Sequence, residues 1–336
     1  MRLKSIAVTG VAAACLALAA CGGGGGGGGG LPVFPLMQPP PTPPAPPPPP
    51  PPPGPAPAPA PEPESSVRVV MYETLKLPNS EENMNEMVRQ FNSQGERGYR
   101  FVAFGEYGDE GSASLYVKDS KTTYSYEQVV AADSVAALRE QLRTQGLRGY
   151  RPLFGDVGLY FKDNAADTTY SYIVTEWSAT PTADAFLTEL NAKGVNGYYP
   201  HALEARWGGT RIRIFEKDDR SNAAYAYAFL DKATGGDSTA AFLAQLNAQG
   251  AKGFRLLDSP TFSDGRKFIY EKDATQSAKF SFYEKASDDS FDFAKLVVRA
   301  NEEGKKGASL AEVHGEGERY FTTSDCKGRL CDTRQF

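Results

Sequence analysis

The stretch NAQGAKGFR at residues 247–255 has near-copies elsewhere: NSQGERGYR from Asn92, RTQGLRGYR from Arg143, NAKGVNGYY from Asn191 and NEEGKKGAS from Asn301. Whatever these residues do locally, the fold must accommodate the same solution five times. Aligned on the second glycine (Gly98, Gly149, Gly197, Gly253, Gly307), the copies are 51, 48, 56 and 54 residues apart. A period of this size is the signature of a small supersecondary unit written in tandem.

Each copy follows a helical pattern. Apolar residues stand eight and four positions before the first glycine: Met87 and Phe91, Leu138 and Leu142, Phe186 and Leu190, Phe242 and Leu246, Leu296 and Ala300. A spacing of four places each pair on one helix face. The first glycine (Gly95, Gly146, Gly194, Gly250, Gly304) then stands where a left-handed C-terminal cap is expected. The second is expected to let the chain pass close to the helix as it enters a strand. Upstream, Val70-Met-Tyr, Tyr124-Ser-Tyr, Tyr170-Ser-Tyr, Tyr225-Ala-Tyr and Phe280-Ser-Phe alternate like strands, their aromatics on one face as core cover for a helix. A third strand ends at Asp119, Asp163, Asp218 and Asp273, each preceded by Lys, which reads as turn chemistry.

The expectation is an α+β fold of five tandem βαββ repeats of about 50 residues, with helices packed on antiparallel or mixed sheets. The boundaries are 67–121, 122–167, 168–222, 223–277 and 278–323, with a tail at 324–336. Tyr-x-Tyr, then a helix with LNxxGxxG and an aromatic, then an apolar strand with a basic residue resembles a small bacterial domain family of unknown function, usually found singly. The resemblance runs from about Val67 to about Thr323. Where that family commonly has Gly-Trp-Glu, this chain has Gly-Tyr-Arg or Gly-Phe-Arg, and the fifth copy, Gly307-Ala308-Ser309, suits a capping unit. Two arrangements are open: a row of sheets with helices on one side, or a closed five-fold α/β propeller that would resemble the penteins, whose members include guanidine-modifying enzymes.

The N-terminal stretch addresses the chain. Arg2 and Lys4 precede an apolar run, Ile6 to Ala20, that is too short to span a bilayer and reads as a signal peptide over 1–20. Leu18-Ala19-Ala20-Cys21 resembles a bacterial lipobox, which implies lipidation of Cys21; Gly22 in place of Asp resembles outer-membrane sorting, with the domain facing the periplasm or the surface. Residues 21–66 then form a linker of nine glycines, Gly22 to Gly30, followed by a proline-dominated half, Pro39 to Pro63. In the polyproline II conformation that half spans roughly 70 Å, a stiff spacer. Of four cysteines, Cys15 leaves with the signal peptide and Cys21 takes lipid, so Cys326 and Cys331 are expected to pair as a disulfide. With no third or fourth ligand nearby, a metal site there is poor zinc chemistry.

Removing Arg2 and Lys4 from the 36 basic residues leaves 34 against 41 acidic ones, a net of −7 that argues against nucleic acid as a partner. No catalytic set is recognisable. His201 and His314 each follow a second strand outside any motif, and Gly235-Gly-Asp-Ser reads as helix N-cap chemistry from Asp237 and Ser238. Asp109-Glu110, Asp218-Asp219 and Asp288-Asp289 lack calcium-loop spacing and read as solvated turns. No cofactor or metal is expected. One constellation points to a ligand: Arg100, Arg151 and Arg255 hold the same position in three copies and would converge in a symmetric assembly to hold an anion. The expected function is a lipid-anchored, non-enzymatic binding or scaffold protein with an envelope or cell-wall partner. A cell-envelope hydrolase with carboxylate catalysis is the rival, and a peptidoglycan-bound spacer a third reading.

Overall fold

The computed structural model describes residues 68–78, 84–107, 111–153, 158–207, 209–231, 239–287, 289, 291–314 and 317–333. All lie in the unit Ser66–Phe336. The signal peptide, Cys21, the glycine and proline linker, the Asp237–Ser238 cap and the Asp109, Glu110 and Asp288 turn residues lie outside the described residues. The fold is mixed α+β, five helices on small antiparallel sheets.

The first sheet holds β1 (Met71–Lys76), β2 (Arg100–Glu106) and β3 (Ser112–Lys118), with α1 (Met84–Glu96) between β1 and β2. The second holds β4 (Tyr124–Gln128), β5 (Arg151–Pro152) and β6 (Leu159–Asp163), with α2 (Val135–Leu147). The third holds β7 (Tyr170–Trp177), β8 (Tyr199–Trp207) and β9 (Thr210–Asp218), with α3 (Ala183–Gly194). In the fourth, β10 (Tyr225–Leu230), α4 (Thr239–Gly250) and β11 (Arg255–Asp258) precede a small ribbon, β12 (Thr261–Phe262) with β13 (Gly265–Arg266), and then β14 (Phe268–Asp273). The fifth holds β15 (Lys279–Ala286), β16 (Ser309–His314) and β17 (Gly317–Ser324), with α5 (Phe293–Gly304). In every three-stranded sheet the last strand in sequence lies in the middle, antiparallel to both neighbours. Among the described residues the sheets are separate, five of three strands and one, β12 with β13, of two, and they are neither strands of one closed barrel nor the four-stranded blades of a β-propeller.

Helices join what the strands leave apart. Each helix buries its apolar pair not only on its own sheet but against the first strand of the next: α1 on β4, α2 on β7, α3 on β10 and α4 on β15, while α5 seats on β1. Leu142, Leu190, Leu246, Leu296 and Phe91 are at most 1 % exposed. They anchor five apolar clusters, of which one packs Phe293, Leu296 and Ala300 of α5 against Tyr72, Leu115 and Val117 of the first sheet.

The recurring nonapeptide makes that joint, with the two glycines in exchanged roles. The first glycine is inside the helix, not its cap. A Cβ on Gly95 would lie 2.1 Å from the Tyr124 carbonyl oxygen, and one on Gly304 would lie 1.9 Å from that of Val70. The helix thus approaches the neighbouring strand to backbone contact, and the Val70 amide donates to the Gly304 carbonyl at 3.0 Å. The second glycine carries the positive φ, +86° at Gly98. It closes a Schellman motif, in which Tyr99 donates to Gln94 and Gly98 to Gly95. Position one of the nonapeptide completes the joint: the Asn92 amide accepts from Tyr126 N at 2.8 Å and donates to Tyr126 O at 2.9 Å. Asn191 does the same to Tyr227, Asn247 to Phe282 and Asn301 to Tyr72. Arg143 occupies this position in α2 and bonds Glu140 of its own helix instead. The Lys-Asp pairs do form turn chemistry: Asp163 accepts from Ala165 N and Asp218 from Arg220 N, while Lys118 and Lys162 donate to the helix-end carbonyls of Arg97 and Arg148.

Candidate functional site

Arg100, Arg151 and Arg255 each begin the second strand of a sheet, one residue after the aromatic that completes the Schellman motif. Strand alternation turns that aromatic one way and the arginine the other. The three arginines meet in the lining of one cavity of about 590 Å³, which they share with Tyr199, the residue at the same position in the third copy of the nonapeptide. His201, Arg319, Trp177 and Arg213 also line it.

Each guanidinium is balanced by a buried carboxylate. Arg100 lies 3.3 Å from Asp119, Arg151 lies 2.8 Å from Glu216 and Arg255 lies 3.5 Å from Glu271. Glu216 also receives Arg329 at 2.6 Å and the Tyr172 hydroxyl at 3.1 Å. Burial alone would raise the Glu216 carboxyl, but Arg151 and Arg329 outweigh it and hold it well below the usual carboxylate range. Tyr199 donates to Glu271 at 3.3 Å and carries the Arg329 guanidinium 3.8 Å above its ring.

His201 lies within the second strand of its sheet, β8, rather than after it. Its side chain is 8 % exposed, with Nδ1 3.8 Å from Glu216. Burial lowers its pKa to about 4, against the pull of Glu216, so the imidazole is neutral at pH 7. His314 is 25 % exposed, 3.9 Å from Glu284.

The C-terminal segment supplies more of the lining. Cys326 and Cys331 form a disulfide, Cα atoms 5.7 Å apart, and beside the loop they close Arg329, Asp332 and Thr333 line the cavity. Leu330 and Thr333 are 2 % exposed. Arg255 donates to the carbonyls of Leu330 at 2.7 Å and Asp332 at 2.8 Å, Arg100 to that of Thr333 at 2.7 Å, and Arg68 to that of Cys331. The Thr333 amide donates to Asp119 at 3.2 Å, and Arg68 reaches the Asp332 carboxylate at 3.1 Å. Burial and the nearby Asp119 push Asp332 up to about 6, although 47 % of its side chain still meets solvent.

Sequence reasoning identified the arginines but missed Asp119, Glu216, Glu271, Arg68 and Arg329. Two of these carry a signal. Glu216 and Glu271 stand on third strands where the other copies have Val117, Phe161 and Phe321, and an acid at an inward, apolar position calls for a buried cation. Arg68 and Arg329 lie outside any repeated pattern. Among the described residues no group of three or more His, Cys, Asp or Glu side chains could hold a metal ion, and no helix is long and apolar enough to cross a membrane. No family model, curated protein or solved structure matches the chain.

Proposed function

We propose that the chain is a non-enzymatic binding module, held at the outer membrane by a lipid on Cys21 and displayed on the Gly- and Pro-rich linker, and that its ligand-holding site is the arginine-lined cavity. The single observation that carries the binding reading is the meeting of Arg100, Arg151 and Arg255, 155 residues apart end to end, in one cavity. Binding is favoured over hydrolysis because Asp119, Glu216 and Glu271 are each tied to a guanidinium, and Glu216, held well below the usual carboxylate range, is a weak proton acceptor at neutral pH.

In the same reading the described residues are five copies of one βαββ unit in cyclic succession, each helix locking onto the following unit. Its support is the shared strand order, the four asparagine bridges and the bulge on the second strand at the same place in four sheets, after Phe101, Pro200, Leu256 and Leu310. The seating of α5 on β1 supports the cyclic order.

Citrate serves as the anion probe. Titrated into the soluble fragment from Ser66 onward, it should raise the unfolding temperature saturably, and Arg151→Gln should reduce that response. A fragment indifferent to citrate and other small carboxylates would sink the binding reading.

A further inference from the structure

Buried backbone carbonyls are ordinarily satisfied by other backbone groups. Residues 330–333 depart from this: four consecutive carbonyls, Leu330, Cys331, Asp332 and Thr333, all accept from arginine side chains. The three donors, Arg68, Arg100 and Arg255, come from the first and fourth sheets and their approaches, so the fold assembles this cradle from distant segments. Side-chain contacts are fewer: Leu330 enters an apolar cluster, Asp332 meets Arg68 and the Thr333 hydroxyl lies 3.1 Å from that of Tyr72. A row of guanidinium forks on successive carbonyls recognises a peptide main chain, whatever most of its side chains are.

A second observation points the same way. Two residues lining the same cavity carry a buried donor with no hydrogen-bond partner, Arg213 at Nε and Trp177 at Nε1. Arg213 is 6 % exposed and stacked between the rings of Trp177 and Phe186, at 4.7 and 4.2 Å, so it is fixed in place. Both groups can only donate; the Arg213 Nη1 already holds the Glu189 carboxylate at 2.8 Å, and the precedent for an acidic side chain on this site is Asp332, which meets Arg68 at 3.1 Å.

We propose that the cavity is a binding site for a peptide segment bearing an acidic side chain, read through consecutive carbonyls by Arg68, Arg100 and Arg255, and that residues 330–333 occupy it as an internal ligand which a partner's segment displaces. This rests on the binding-module reading and names its ligand class.

The test cuts the chain without removing the segment. A site-specific protease sequence placed between Ser324 and Cys326 leaves, after cleavage, a disulfide-closed peptide held only by its contacts. A labelled copy of that peptide is then added to the cleaved fragment, with Trp177 emission followed in a Trp207→Phe background. The expected result is saturable exchange of the labelled peptide with an emission change, weakened about tenfold or more by Arg255→Ala, since a hydrogen bond to a charged group is worth that much. Failure of the peptide to exchange while citrate still binds overturns this proposal alone. Failure of both removes the binding-module reading with it. Loss of the near-UV circular dichroism on cleavage would show that the segment is core and not ligand, which also overturns the proposal.

Discussion

His201 puts the cost of a buried imidazole on a pH axis. Its pKa is lowered in the fold to about 4 from 6.5, so the stability linked to its neutral form is complete above about 6.5 and is lost as pH falls towards 4. Glu216 is held well below the usual carboxylate range and does not offset the loss in this window. His201→Gln should therefore match the parent's pH trend near neutrality and become relatively more stable on acidification, by about 2–3 kcal/mol at pH 4. Urea midpoints across this range check it, and parallel curves for parent and variant would contradict it. The two glycines of the nonapeptide separate at this scale too. Gly98→Ala confronts a positive φ and a Thr122 carbonyl oxygen 2.9 Å from its Cβ, and should cost about 1 kcal/mol or slightly more. Gly95→Ala confronts a carbonyl oxygen 2.1 Å away and should cost more, about 2 kcal/mol or above, read as unfolding free energies of the two variants.

Between elements, the asparagine bridge is the recurring fastener, and α2 shows what its absence leaves. Arg143→Asn places an amide where Asn92, Asn191, Asn247 and Asn301 reach the next strand, here that of Tyr172. Asparagine is the poorer helix former by a few tenths of a kcal/mol, and two new backbone bonds outweigh that by about 1 kcal/mol. The variant should melt higher than the parent, whereas Asn247→Ala should melt lower. The helices are legible because apolar residues stand four apart in each, as Met87 and Phe91 or Leu138 and Leu142 do, and four of the third strands because each runs into Lys-Asp. What periodicity could not give was the partner of each helix. It marks which face is apolar and says nothing of whether that face meets its own sheet or the next, so the close-approach glycine reads as a cap. The cavity was half legible for a related reason: equivalent positions announce Arg100, Arg151 and Arg255, but their counter-charges sit at positions that differ from copy to copy.

At the scale of the molecule, two joints decide behaviour. One is covalent: if Cys21 carries the lipid, Cys21→Ser should abolish metabolic labelling by a fatty-acid analogue and release the chain from membranes, and a labelled variant would remove the anchor from the proposal. The other is the seating of α5 on β1, where Gly304 meets Val70 and Asn301 brackets Tyr72. In a linear array a lesion at the last helix would be felt mainly by its nearest neighbour in sequence, since such arrays interact only between adjacent units. Here that neighbour is also the first sheet, where Val70, just before β1, and Tyr72 lie more than 220 residues back along the chain from Asn301 and Gly304. Gly304→Ala, with its Cβ 1.9 Å from the Val70 oxygen, should raise amide exchange in β1 and β3 together with α5, while α3 and β9 stay protected. Exchange confined to residues near 304 would mean that the two ends are only neighbours. Exchange spread over both ends would mean that α5 and β1 form one cooperative element, and that the first sheet owes part of its stability to the last helix.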